Sequence, residues 1–443
     1  YGGQGIIIPL TDLIEKNGFY IKDAFERQDG LPAGLITPDG NIYGLPNIND
    51  AFHTNYKYKA WINQHWLDAL NLETPTTTEE FYNVLKAFKE QDPNGNGLAD
   101  EIPMMGAYKN NTFDYDPYVF LLNAFVYFNP DTVNAGGFLE IADGKVAFVP
   151  NQEAYREGLR YVAKLISENL LDSTSLTQSE EQFKQLGTNP DAPLIGVGTT
   201  FAWWKFLAYN YETADARADF YPALAPLQGP EGVRYAPKSA TPYSNTGAVI
   251  TDHCADPDLA MKWLDGLYAP DVTKRSQFGI KGENWDDAPV DTLGINQEPA
   301  IWQLLKNFGN EADPASVRNV FISDRYSELR LGQMTDFSDP AALNEQEPKL
   351  YRETAEKYAP YAADDKVVPS NLYFTDAENQ EYARLKEQIN TYARENLVAF
   401  LTGNKNIDTD WNSYVAEFGR LDLSRYLEYV QTAYNRQYNT DTQ

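Results

Sequence analysis

The chain has 443 residues, more than the roughly 250–300 at which a single hydrophobic core stops growing, so more than one domain is expected. A net charge of −28 repels phosphate backbones and anionic surfaces, which argues against nucleic acid or a polybasic membrane contact. The single cysteine, Cys254, excludes an internal disulfide, and no run approaches the ~18 apolar residues of a membrane span.

In chain order, the opening "YGGQGIIIPLTDLIEKNG" reads as mid-domain sequence, with no signal segment in it. "NIYGLPNI" (41–48) reads as a strand ending at Pro46. "TTTEEFYNVLKAFKEQ" is a helix: Thr77 and Glu80 have capping-box spacing, and Phe81, Val84, Leu85 and Phe88 form its apolar stripe. "NQEAYREGLRYVAKLISENLLD" is a second helix, with Tyr155, Leu159, Val162, Ile166 and Leu170 along one face. "DAPLIGVGTTFAWWKF" predicts a buried strand, a turn and then aromatics. "TGAVITDHC" predicts a strand, and "DPDLAMKWLDGLY" a helix capped by Asp256 with Pro257 first. Trp66 and Trp263 lie on amphipathic helices and are expected in the core. The end of the chain is helical. Helix-period segments alternating with short β-branched runs give an α/β class.

The segment "DPNGNGLADEIP" gathers oxygen ligands just past the first of these helices. A calcium loop needs hard oxygens at alternate positions and a glycine for its sharp turn. Asp92, Asn94 and Asn96 stand at positions one, three and five, Gly97 at six, Leu98 at seven with only its carbonyl to give, and Asp100 at nine. An EF-hand carries a bidentate Glu at twelve. Here that position is Pro103, and Glu101 is placed to close the shell instead. The alternative is a solvated Asn-Gly turn. A site made of oxygens alone is a structural calcium site rather than a redox or nucleophile-generating one.

No catalytic motif is present. His53, His65 and His253 are scattered, and there is no HExxH, GxSxG or GxxxxGK[ST] pattern. Aromatics reach 14%, including 8 Trp, and their placement suggests flat ligand faces. Trp203 and Trp204 follow a buried strand at the sheet edge where α/β folds bind ligands. Trp285 lies in a glycine-punctuated polar loop. Sugar rings pack C–H faces on such side chains while polar groups meet the hydroxyls. Adjacent tryptophans on a strand face opposite ways, so one of the pair is expected to pack inside.

Together, "GNIYGLP", "WINQHWLDALNLETPTTTEEF", the Asp92 loop, "FGIKGENW", "DPDLAMKWLDGLY" and "QTAYNRQY" resemble the family 1 extracellular solute-binding proteins of bacterial ABC importers. The nearest subgroup is the large lipoprotein and alginate-oligosaccharide-binding type with a calcium loop. The resemblance runs along nearly the whole chain. It departs at Asn63, His65, Asn71 and Lys281, where the family commonly has other residues, and this chain starts without the family's first strand-helix segment.

The resemblance implies a periplasmic-binding-protein-like fold: two α/β lobes joined by hinge crossings, with a ligand cleft between them. Lobe one would take residues 1–50 plus 245–325, without that first segment. Lobe two would take 51–244 with the calcium loop, and the helical region 326–443 would pack across both. It implies Ca2+ held by Asp92, Asn94, Asn96, Leu98, Asp100 and Glu101. The expected function is capture of an oligosaccharide by lobe closure, as a monomer at the extracellular face, lipid-anchored or periplasmic, with delivery to a membrane permease. Asn49, Asp50 and Tyr243, near the predicted crossings, are the candidate hydroxyl partners beside Trp203, Trp204 and Trp285. With no lysine or arginine cluster visible at those crossings, a neutral or weakly charged saccharide is favoured over a polyuronate. The alternatives are a glycan-active enzyme, hydrolase or lyase, with a structural calcium, and a calcium-dependent adhesion module. The single calcium loop weakens the second.

Overall fold

The computed structural model describes the chain except positions 29, 109–114, 131–136, 190–191, 208–219, 240–242, 307–321, 344 and 439–443. Its strands, in chain order, are β1 (Leu45–Asn49), β2 (Ala60–Ile62), β3 (Ile102–Met105), β4 (Leu139–Ala142), β5 (Lys145–Phe148), β6 (Ile195–Thr199), β7 (Ala223–Leu224), β8 (Tyr243–Ala248), β9 (Trp285–Asp287), β10 (Trp302–Leu304) and β11 (Asp324–Arg325). They form two principal sheets, ordered β11-β1-β8 and β3-β6-β2-β7, with two small antiparallel pairs beside them.

Each principal sheet has its own core. Leu10, Ile21, Leu45, Ile48, Met261 and Tyr268 lie at the centre of the smaller core, around β1. Trp61, Trp66, Phe88, Val197, Trp203 and Leu224 lie in the larger one, which also takes in the C-terminal helices through Leu385, Leu397, Tyr414 and Tyr426. The C-terminal region thus packs chiefly on the second sheet, and it reaches the body of the first at several points, among them Gln437, whose amide donates to the carbonyl of Ala33. A small third cluster of Trp285, Trp302 and Leu329 sits apart from both.

The helix Thr78–Glu90 forms as its sequence directs. Thr77 and Glu80 close the capping box, and Phe81, Val84, Leu85 and Phe88 are buried. Asp256 caps Pro257–Gly266, with Pro257 first. Asn71 takes up a left-handed φ of 52° at a helix C-terminus, a position glycine usually fills and asparagine tolerates. Two strands differ from expectation. The first strand begins near where it was expected to end, and Pro46 sits inside it. A register shift against β8 between Leu45 and Asn47 accommodates a residue with no N–H to give. The strand expected at 246–254 lies earlier, at Tyr243–Ala248. Trp66 is buried as expected, but Trp263 is 61% exposed. The helix Pro257–Gly266 instead buries Met261, Leu264 and Asp265, and Asp265 accepts from the backbone N–H groups of Phe19 and Ile21.

Candidate functional site

Asn49, Asp50 and Tyr243 come together at one end of the first sheet. Ile48 is the register partner of both Tyr243 and Asp324, and Asn49 that of Arg325. Three segments distant in sequence thereby place their polar side chains along one sheet edge, just where the chain crosses toward the second sheet. Asp50 accepts from Gln28 Nε2 at 3.1 Å and Asn55 Nδ2 at 2.9 Å. Asn49 Oδ1 lies 3.5 Å from Arg330 Nη1. The Tyr243 hydroxyl is bonded to Asn371, and burial pushes its pKa up to about 12 against that bond. It lies so close to Gly34 that a Cβ there would come within 1.8 Å of the hydroxyl oxygen. Asn49, Asp50 and Tyr243 all retain partial exposure.

The crossings carry charge that the sequence conceals. Arg27, Arg325 and Arg330 gather beside β1 and β11, so the expectation of no basic cluster is corrected: its members are 298 and 303 residues apart from first to second and third. Their charge is offset. Arg27 pairs with Asp23 and the buried Asp324, and Arg330 with Glu347. Burial raises Asp324 to about 6 despite Arg27 beside it. Burial pushes Glu347 up as well, but Arg330 and His53 outweigh it and hold the carboxyl well below its usual range. Burial lowers His53, against the attraction of Glu347.

The tryptophans divide. Trp203 is 0% and Trp285 1% exposed, so neither has ring surface for a ligand in this structure. Trp203 packs edge-on against Trp61 at 5.5 Å and has the ammonium of Lys349 4.7 Å from its centroid. Trp285 donates its Nε1–H to the carbonyl of Gly279 and lies 4.4 Å from the Lys274 ammonium. The aromatic faces assigned to sugar are thus met by lysines in these two cases. Trp204 is half-buried, T-shaped against Trp203 at 4.8 Å, and of the three it alone has ring surface left to offer.

The Asp92 loop closes into a tight turn lined with Asx side chains. Asp92 takes a φ of 48° and Gly97 one of 76°, which closes the turn. The N–H of Gly97 donates to Asp92 Oδ2 at 3.0 Å, that of Asn96 to Asn94 Oδ1 and that of Leu98 to Asn96 Oδ1. The asparagine amides lie 3.1 Å from Asp100. Asp92 Oδ1 and Glu101 Oε1 are buried with no hydrogen-bond partner, and a buried carboxylate oxygen without a donor is costly. Burial raises the Glu101 pKa, with the charges of Asp92 and Asp100 adding to it. A hard cation would relieve both penalties, so the residues fit calcium. The acids are not sufficient alone: among the described residues no three His, Cys, Asp or Glu side chains gather closely enough to hold a metal. The asparagine and Leu98 carbonyl oxygens would have to complete the set.

No family model matches the chain. It is 29% identical to the fructooligosaccharide ABC transporter substrate-binding protein FusA of Streptococcus pneumoniae serotype 4, over 98% of this chain and 76% of that protein. The solved structure of FusA with kestose superposes with a TM-score of 0.71 at 26% identity, covering 100% of this chain and 85% of that one. FusA has also been solved as an EF-hand mutant with fructo-nystose, at a TM-score of 0.72 and 25% identity over the same shares. Lipoprotein LipO of Bacillus subtilis is 24% identical over 60% of this chain, which spans about half of LipO's length, 51%. In fold alone, an "HMO binding" ABC-transporter-associated solute-binding protein of Bifidobacterium longum infantis superposes with a TM-score of 0.76 at 19% identity, covering 98% of this chain and 84% of that one.

Proposed function

We propose that this chain, a substrate-binding protein of an ABC importer by sequence and by fold, captures an oligosaccharide between two lobes and presents it to a membrane permease. The observation that carries this reading is the likeness to FusA along the whole chain, in sequence and in fold. The relatives are binding proteins rather than enzymes, and the polar sheet edge suits recognition of hydroxyls rather than turnover. Lobe one is residues 1–50 with 245–325, lobe two 51–244, and the region 326–443 a helical extension fastened mainly to lobe two. The two separate cores support that division.

Asn49, Asp50 and Tyr243 are the hydroxyl partners at the crossing, and Trp204 the stacking surface. Trp203 and Trp285 act behind the cleft wall as packing. Arg27 and Arg330 at the crossing are paired with carboxylates, which favours a neutral or weakly charged saccharide. Calcium, held by Asp92, Asn94, Asn96, Leu98, Asp100 and Glu101, pins a loop of lobe two and takes no part in sugar recognition. The protein works as a monomer at the extracellular face, as a lipoprotein or in the periplasm. No helix among the described residues is long and apolar enough to cross a membrane.

Thermal unfolding in calcium buffer against kestose, nystose, other neutral oligosaccharides and oligouronates tests the reading. A ligand at a hundred times its Kd adds about 2.7 kcal/mol. A neutral oligosaccharide raises the melting midpoint and is recovered unchanged, and Trp204→Ala diminishes the shift. A saccharide that is cleaved, or a panel in which none shifts the midpoint, overturns the reading.

A further inference from the structure

Glu347 stands where three distant segments meet. Its two oxygens accept from Arg330 Nη2 at 2.9 and 3.0 Å, with Arg330 Nε 3.2 Å from Oε1. Oε1 also lies 3.3 Å from His53 Nδ1. Each partner belongs to a different body. Arg330 is on the helix Ser327–Leu331, which directly follows β11 of the first sheet, and its Nη1 lies 3.5 Å from Asn49 Oδ1 on β1, so this short segment goes with the first sheet although most of the C-terminal region goes with the second. Glu347 opens the helix Gln346–Lys357, which is fixed to the second sheet. On that helix Glu353 accepts from the N–H of Ala223, and Lys357 donates to the carbonyl of the same residue. The hydroxyl of Tyr358, the next residue, donates to the carbonyl of Leu224 at 2.6 Å. His53 lies in the first crossing, where its carbonyl accepts from Lys59 Nζ at 2.7 Å. One helical turn beyond Glu347, the ring of Tyr351 packs on Phe52 of the same crossing at 5.3 Å.

One carboxylate therefore ties the first-sheet body, the second-sheet body and the segment that joins them. Side-chain exposure is 21% for Arg330 and for Glu347, and 6% for His53. A two-pronged arginine contact in such surroundings is screened far less than a surface bridge, and breaking it leaves an uncompensated charge. The other contacts described above between the first-sheet body and the C-terminal region, Gln437 to Ala33 and the Tyr243 hydroxyl to Asn371, are hydrogen bonds between neutral groups.

We propose that Glu347 is an interlobe clamp, a positioning residue that biases the lobe equilibrium toward the arrangement described here without touching the ligand. The inference rests on the two-lobe capture reading. A ligand gained by closure draws on that same equilibrium, so shifting the population that the clamp maintains shifts the apparent affinity.

The test compares wild type with Glu347→Gln, which keeps the shape and loses the charge, and with Arg330→Lys, which keeps the charge and loses the two-pronged contact. Small-angle scattering of the sugar-free proteins gives the radius of gyration, and calorimetric titration with kestose gives affinity. The expected result is a sugar-free radius that departs from wild type in Arg330→Lys and further in Glu347→Gln, with kestose affinity shifted about tenfold in the last. A sugar-free radius unchanged in both variants overturns the clamp, whatever their melting temperatures, and if Glu347→Gln does not fold, Arg330→Lys alone decides it. Wild type that neither binds kestose nor contracts with any saccharide overturns the capture reading instead. The sugar-free comparison still decides the clamp.

Discussion

Asp324 and Glu347 are both largely buried carboxylates facing an arginine, yet their proton affinities move in opposite directions. At Asp324, 1% exposed, desolvation outweighs Arg27 and the pKa rises from 3.8 to about 6. Between those values the folded protein holds a proton that the unfolded chain has lost, so this group's contribution to stability falls as pH rises from about 4 to about 6. At Glu347 two cations overcome desolvation and the folded pKa drops, so its contribution is present above the unfolded value and is lost as pH falls through the lowered one. Urea unfolding across pH checks both signs. Relative to wild type, Asp324→Asn gains stability as pH climbs from 4 to 6, by about 3 kcal/mol at most, whereas Glu347→Gln loses ground as pH rises from acid toward neutral. Parallel curves for the two variants would contradict the assignment. Neither residue was legible as a partner in the sequence. Glu347 and His53 are 294 positions apart, and no spacing rule connects a crossing to a helix that returns from the far end of the chain. Asn49, Asp50 and Tyr243 were expected near the crossings because the family resemblance, through "GNIYGLP", implied where the chain crosses, and the structure brings the three to one end of the first sheet. The depth of Trp203 and Trp285 could not, because burial of an aromatic is set by what packs on it, here Trp61 and the lysines Lys349 and Lys274.

At the scale of elements, local chemistry was the readable part. The capping box at Thr77 and Glu80 and the stripe from Phe81 to Phe88 are complete within one helix, so their signal is complete within one stretch of sequence. Strand limits depend on partners elsewhere, which is why β1 and β8 were displaced by several residues and why Pro46 in a central strand was read as an end. The Asp92 loop is local too, and its turn follows from three left-handed residues, Asp92, Gly95 and Gly97, and a run of Asx side chains. It directly succeeds the Thr78–Glu90 helix and leads into β3 at Ile102, an edge strand of the second sheet. An ion there would fasten a core helix to a core strand. Exhaustive chelation should therefore lower the melting midpoint, with calcium restoring it and magnesium, which demands a smaller octahedral shell, restoring less. At a hundred times its Kd, calcium contributes about 2.7 kcal/mol. Asp92→Ala should melt at the chelated midpoint with or without calcium. A wild-type midpoint indifferent to both chelation and calcium would remove the metal from the account of this loop.

For the whole molecule, the pairing of Arg27 and Arg330 with carboxylates at the crossing sets what salt should do to binding. Acids outnumber basic residues in each of the two proposed lobes and in the C-terminal region, within a total charge of −28, so closure brings like charges together. The screening length falls from about 30 Å at 0.01 M salt to about 8 Å at 0.15 M. For a neutral saccharide, salt weakens only the repulsion between the closing lobes, and affinity should hold or rise across that range. For a polyuronate the outcome depends on which field it feels at the cleft. Recognition through Arg27, Arg325 and Arg330 would be attractive and would weaken with salt, while repulsion by the overall field would ease. Titration of kestose and of an oligouronate at the two salt concentrations separates these cases. The expected result is kestose affinity that is unchanged or up to a few-fold tighter at 0.15 M, and no measurable oligouronate binding at 0.01 M. An oligouronate that binds tightly at low salt and is lost at high salt would mean that Arg27 and Arg330 are released from Asp324 and Glu347 for the ligand, and the cargo would then be acidic despite the charge of the whole.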